Sequence, residues 1–128
     1  EEFEVIKRHP VIGWEILSGS DSELLVAAET IALGHHEKYD GSGYPDKLKG
    51  ADIPLFARIV AVADAFDAIV SKRVYKSAVD KEQAFCLIND CKGGHFDPDA
   101  VDAFMKDVTG VIKIMDEYKK KQEHLEIK

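Results

Sequence analysis

The segment LFARIVAVADAFDAIV, from Leu55 to Val70, constrains this chain more than any other stretch. It reads as the long apolar body of one helix, started by Pro54. Its acidic residues are Asp64 and Asp67, three positions apart and therefore on one face. An ionised carboxylate in so apolar a helix is costly unless it is paired, hydrogen-bonded or metal-bound. Pairing with Arg58, with Arg73 or with a backbone N–H is one solution, and a metal is the other.

The remaining segments are helical in pattern as well. Pro10 suits a helix start, and that helix runs to about Leu17 before Gly19. Ser20 and Glu23 form an expected capping box, followed by Leu24, Leu25, Ala28, Ile31 and Ala32 at helical spacing. Asp80 with Gln83, and Asp97 with Pro98, read as two further helix starts. Val111 to Ile127 is helical by propensity, and 117–128 is expected to be a charged helical or frayed tail. No segment combines strand period with hairpin chemistry, so the expected fold class is all-α. Trp14 and Phe66 read as core aromatics.

Composition narrows the function classes. The chain has 128 residues, the size of one domain, with 45% hydrophobic and 32% charged residues, which excludes disorder. A net charge of -7 disfavours broad binding to a nucleic-acid polymer or an anionic membrane. No apolar run approaches the roughly 18 residues of a membrane span. Cys86 and Cys91 lack zinc or redox spacing and fit a reducing compartment.

The helical pattern breaks from Glu37 to Ile53, where Gly41, Gly43, Pro45 and Gly50 punctuate polar sequence. A compact domain rarely keeps so long a loop without a functional or packing reason. Gly41 and Gly43 would let the backbone approach a ligand closely, or simply turn. His35 and His36 enter this loop from a helix end, where both imidazoles could face one site. Histidines with an aspartate suit zinc, manganese or iron, and such a centre acidifies bound water. His9, expected at a helix cap, could add a nitrogen or merely cap. Arg73 and Lys76 could clamp phosphates or lie solvated. His95 is read as shaping the turn before Asp97, and His124 is given no role. A phosphate-binding glycine loop and a GxSxG elbow are both missing.

Read whole, HHEKYDGSGYPDKLKGADIPLFARIVAVADAFDAIVSKRVYK resembles the HD-GYP family, a branch of the HD superfamily of metal-dependent phosphohydrolases. IKRHPVIGWEIL upstream and GGHFDP downstream are similar to further family segments, so the resemblance covers about residues 3 to 108. It implies a helical bundle and hydrolysis of the bacterial second messenger cyclic di-GMP to pGpG or GMP. It also implies a centre of two or three divalent metals, often iron or manganese. Position by position, His9, His35, His36 and Asp64 match metal ligands. Asp67 matches a carboxylate beside the ligands. Gly43, Tyr44 and Pro45 are the signature beside the substrate, and Arg73 and Lys76 match phosphate contacts. Two further implications are docking of diguanylate cyclase (GGDEF) domains on the GYP loop and a location in the bacterial cytoplasm.

One departure matters. The family's His-Asp doublet should precede the HP helix, and this sequence holds no His-Asp dipeptide. Residues 1–128 are therefore expected to be the C-terminal part of one HD-GYP domain, truncated at its N-terminal helices. A full bimetallic centre, and hence activity of the isolated chain, is not expected. Self-association or exchange of helices between chains is. The alternatives are a non-catalytic GYP-bearing signalling or interaction module, and an HD-superfamily phosphohydrolase acting on another nucleotide.

Overall fold

The computed structural model describes residues 1–71 and 80–127. Among them the helices are α1 Glu2–Ile6, α2 His9–Leu17, α3 Glu23–Gly34, α4 Leu55–Val70, α5 Lys81–Asp90, α6 Pro98–Lys106 and α7 Val108–Glu126. No strand forms among the described residues, so the architecture is the expected all-α bundle. α2 packs along α3, α3 along α4, α4 against α5 and α6, and α6 against α7.

The apolar segment from Leu55 to Val70 becomes the central helix. Ala57, Ala61, Val62, Phe66 and Val70 recur on its buried side. Ala84, Phe85 and Ile88 of α5, Phe96, and Val101 of α6 complete the core. Phe66, Phe85 and Phe104 meet with ring centroids 4.7 to 5.6 Å apart. Tilted aromatic pairs at such spacing contribute about 0.5–1.5 kcal/mol each beyond their burial.

Small residues set the helix crossings on the other side. A side chain on Gly34 would meet the Ala57 Cβ at 2.9 Å, and one on Gly13 would meet the Ala32 Cβ at 3.2 Å. α3 can therefore close tightly on both α2 and α4. This matters because His35 and His36 follow directly after Gly34.

Several local expectations change. α3 begins at Glu23 behind Ser22, and the Ser20 hydroxyl accepts from the Ser22 N–H, so the expected capping box does not form. Trp14 is 39% exposed and is not a core residue, whereas Phe66 is 3% exposed and is. Trp14 lines an open cleft with Thr30 and Leu33 of α3, which covers it only in part. Large apolar side chains of α1 to α3, among them Ile16 and Leu24, also face outward. Asp97 caps α6 as expected, accepting from the Asp99 N–H at 2.8 Å.

Candidate metal site beside the GYP loop

His9 is the first residue of α2, one place inside the cap position expected for it, with Arg8 at the cap and Pro10 second. His35 closes α3, and His36 follows it. One ligand atom from each of these three imidazoles lies within 4.8 Å of the others. The ring centroids are 4.2 Å apart for His35 and His36, 4.7 Å for His9 and His36, and 5.3 Å for His9 and His35.

The hydrogen bonds orient two of the rings. His9 Nδ1 lies 2.6 Å from the Ile6 carbonyl oxygen. His35 Nδ1 lies 2.9 Å from the Ile31 oxygen and 3.0 Å from the Ala32 oxygen. A carbonyl oxygen only accepts, so Nδ1 must carry the proton in both rings. In neutral imidazole this leaves a lone pair on Nε2, and the two Nε2 atoms face each other at 3.3 Å. Two lone pairs aimed at one another are unfavourable until a cation lies between them. Metal–imidazole bonds of roughly 2.0–2.1 Å at a tetrahedral angle place two nitrogens about 3.3 Å apart. The donor set therefore fits a divalent ion, and the backbone bonds at Nδ1 are the usual partners of metal-bound histidine.

His36 is pushed down to about 4, first by burial and then by the neighbouring His35 and His9. Its ring is thus neutral at pH 7, as a ligand must be. Asp64 is exposed on α4 and outside the three-histidine group, yet close enough for its charge to act upward on His36. Asp67 accepts weakly from the Ser71 hydroxyl at 3.4 Å and lines a cleft with Ile114, Met115 and Tyr118 of α7. Arg58 pairs with neither aspartate. It donates to Asp97 at 2.6 Å and to the Ile53 carbonyl at 2.8 Å. Arg73 and Lys76 lie outside the described residues.

The GYP loop folds back onto the histidines. The Tyr44 N–H donates to the His36 carbonyl at 3.2 Å, and the Tyr44 ring stacks on the His36 ring, 5.0 Å away and tilted 14°. Burial raises the Tyr44 phenol pKa, and Lys7 opposes the rise. Gly43 makes the return possible. A Cβ there would lie 2.3 Å from the Lys38 nitrogen and 2.5 Å from the His36 oxygen. Its bareness lets one arm of the loop pack backbone against backbone on the other. Gly41 does take a positive φ of 87°, beside an Asp40 carboxylate that accepts from both the N–H and the hydroxyl of Ser42. Those two bonds hold the Asp40 carboxyl below its usual range.

The turn after α5 braces the loop from the far side. The Tyr39 N–H donates to the His95 carbonyl at 3.0 Å, and the Asp40 N–H to the Gly94 carbonyl at 2.9 Å. His95 stacks on Phe96 and shapes this turn, as read from the sequence. Two supports escaped sequence reasoning: Glu37 and the Arg58–Asp97 pair. Glu37 is 2% exposed, and its carboxylate accepts from the N–H groups of Asp46 and Leu48. The one signal for it was a lone glutamate entering a glycine loop.

The HD domain family model matches residues 1–100. Over 106 residues the chain is 53% identical to the cyclic di-GMP phosphodiesterase response regulator RpfG of Xanthomonas campestris, covering 83% of this chain and 28% of that protein. It is 51% identical to a cyclic di-GMP phosphodiesterase of Thermotoga maritima, covering 83% and 29%. Among solved structures, a cyclic GMP-AMP specific phosphodiesterase of Vibrio cholerae aligns with a TM-score of 0.62 and 26% identity, over 86% of this chain and 24% of that one. The chain thus spans less than a third of the length of these relatives. The matched residues hold the three histidines, the glycine loop and the helices that bring them together, and they make this chain a member of the HD domain family, of the HD-GYP kind its loop sequence resembles.

Proposed function

We propose that this chain carries the histidine cluster and GYP loop of a metal-dependent phosphodiesterase acting on cyclic di-GMP. In this reading His9, His35 and His36 hold a divalent ion, with Asp64 alongside. The observation that carries it is the pair of facing Nε2 atoms, each fixed by a carbonyl behind its ring. The names of the relatives supply the substrate class.

When bound, a divalent ion here would polarise a phosphoryl oxygen and acidify a water. The chain's own residues do the rest. The carbonyls of Ile6, Ile31 and Ala32 fix the tautomers of His9 and His35. Tyr44 shields one face of His36 and offers a flat apolar surface beside the cluster. Lys7, 5.9 Å from the centre of the Tyr44 ring, adds positive charge toward an anionic phosphodiester. Arg73 and Lys76 are proposed as further phosphate contacts on the sequence resemblance.

The test incubates cyclic di-GMP with this chain, and with a longer protein containing it, in Mn²⁺ or Fe²⁺, and follows the linear product. The longer protein is expected to turn over, and His35→Ala and Asp64→Ala to abolish turnover. Activity untouched by either change sinks the assignment. Cyclic GMP-AMP, the substrate in the name of the structural neighbour, is the comparison substrate. The outward apolar side chains of α1 to α3 support self-association of the chain, and light scattering that finds only monomer over a wide concentration range counts against it.

A further inference from the structure

The geometry points to Glu37 as a positioning residue for the metal site, acting through Tyr44 and not by coordination. This rests on the metal reading above and names a residue that the reading does not use.

Glu37 follows His36 directly, and its own N–H donates to the Gly34 carbonyl at 3.1 Å, which fixes it against the end of α3. Its buried carboxylate then reaches across to the far arm of the loop. One oxygen takes the Asp46 N–H at 2.7 Å and the other the Leu48 N–H at 3.0 Å. For two N–H groups two residues apart to converge on one carboxylate, the residue between them must turn sharply. Lys47 does so with φ 54°, the left-handed region that a non-glycine residue rarely enters unless its surroundings hold it there.

Tyr44 and Pro45 lie between two anchors on the same short stretch. Before them, Gly43 presses on the backbone of His36 to Lys38, and Tyr44 is bonded to the His36 carbonyl. After them, Asp46 and Leu48 are gripped by Glu37. The Tyr44 ring is thereby laid flat on His36. His9 and His35 each have a carbonyl to fix their rings, and Tyr44 is the group stacked on His36. Glu37 thus orders one imidazole of the cluster at a distance. Groups that orient a ligand without touching the metal commonly change affinity by roughly tenfold or more.

The experiment is calorimetric titration of Mn²⁺ into the full chain, with proton NMR of the His36 ring in the metal-free protein. Glu37→Gln should weaken Mn²⁺ binding about tenfold or more and remove the ring-current shift of the His36 protons. Tyr44→Leu should do the same, and Tyr44→Phe, which keeps the ring, should restore both. Glu37→Gln together with Tyr44→Leu should be little worse than either alone, because the two act in series. Fully additive losses, or a Glu37→Gln affinity within twofold of the parent, overturn the inference. If Glu37→Gln does not fold by circular dichroism, Glu37→Asp replaces it, since a carboxylate shortened by one methylene cannot reach both N–H groups. Tyr44→Leu binding Mn²⁺ like the parent overturns it independently. A parent chain that binds no Mn²⁺ removes the metal reading and this inference with it. Normal Mn²⁺ binding that ignores Glu37 removes only the inference.

Discussion

The Nε2 atoms of His9 and His35 face each other at 3.3 Å across the gap between α2 and α3, while the Nδ1 of each ring is committed to a helix carbonyl. A cation between them turns a repulsion into two bonds. Mn²⁺ should therefore stabilise the fold, by about 2.7 kcal/mol at a free concentration one hundred times its Kd. Thermal melts with and without Mn²⁺ measure it. His9→Ala and His35→Ala should each abolish most of the gain, and His124→Ala should leave it. A melting temperature indifferent to Mn²⁺ in the parent chain refutes the expectation.

Gly43 and Gly50 separate two reasons for having no side chain. Gly50 has φ 59° with open space around its Cβ position, so Gly50→Ala should cost about 1 kcal/mol, from the strained φ alone. Gly43→Ala forces a methyl into backbone and should cost roughly 1–3 kcal/mol or more. It should also move Tyr44 off His36, and the His36 ring protons would report this by NMR. Equal costs in urea unfolding, with unchanged His36 shifts, would contradict the contact geometry.

The ion pair of Arg58 and Asp97 joins α4 to the start of α6, with side-chain exposures of 19% and 4%. Removing one partner of such a pair strands the other and costs about 3–5 kcal/mol. Asp97→Ala also removes the cap of α6, so it should be the more damaging of the two single changes. Arg58→Leu with Asp97→Leu together should cost less than the sum. Equilibrium denaturation in urea is the measurement, and losses below about 1 kcal/mol would show the pair to be solvated.

His95 gives the acid side of the stability profile a source. Burial, and then Lys38, hold its pKa below 6.5, with Asp40 acting the other way. In the unfolded chain the imidazole titrates near 6.5. As pH falls below that value the unfolded state gains a proton that the folded state resists, so stability falls with pH. Above it both states are neutral and the residue contributes nothing. His36 acts in the same direction. His95→Gln should therefore flatten, without abolishing, the fall in melting temperature between pH 7 and 5. A slope unchanged by His95→Gln assigns the acid loss elsewhere.

Local chemistry made much of this legible. The apolar spacing from Leu55 to Val70 defined the central helix, and Asp97–Pro98 marked a real cap. The histidines could be named because their side-chain chemistry is distinctive, but not their mutual distance, which depends on Gly13 letting α2 close on Ala32 of α3. What escaped notice acts across long separations. Arg58 and Asp97 are 39 positions apart, and nothing in either neighbourhood announces the other. Gly43 could be read as a turn or as a close approach to a ligand, but a glycine in a sequence does not announce the backbone of His36 to Lys38 that packs against it. Trp14 was placed in the core on hydrophobicity, which says nothing about whether a neighbour arrives to cover it.

The stretch from Gly34 to Glu37 gives each of four consecutive residues a separate mechanical duty: helix contact, two imidazoles, and the grip on the loop. Such a corner has a fixed length. Adding or deleting one residue there would shift every later member and take each away from its counterpart. Changes in loop length must therefore fall outside this corner. A graft of this site into another helical scaffold would have to carry the corner across as one uncut piece.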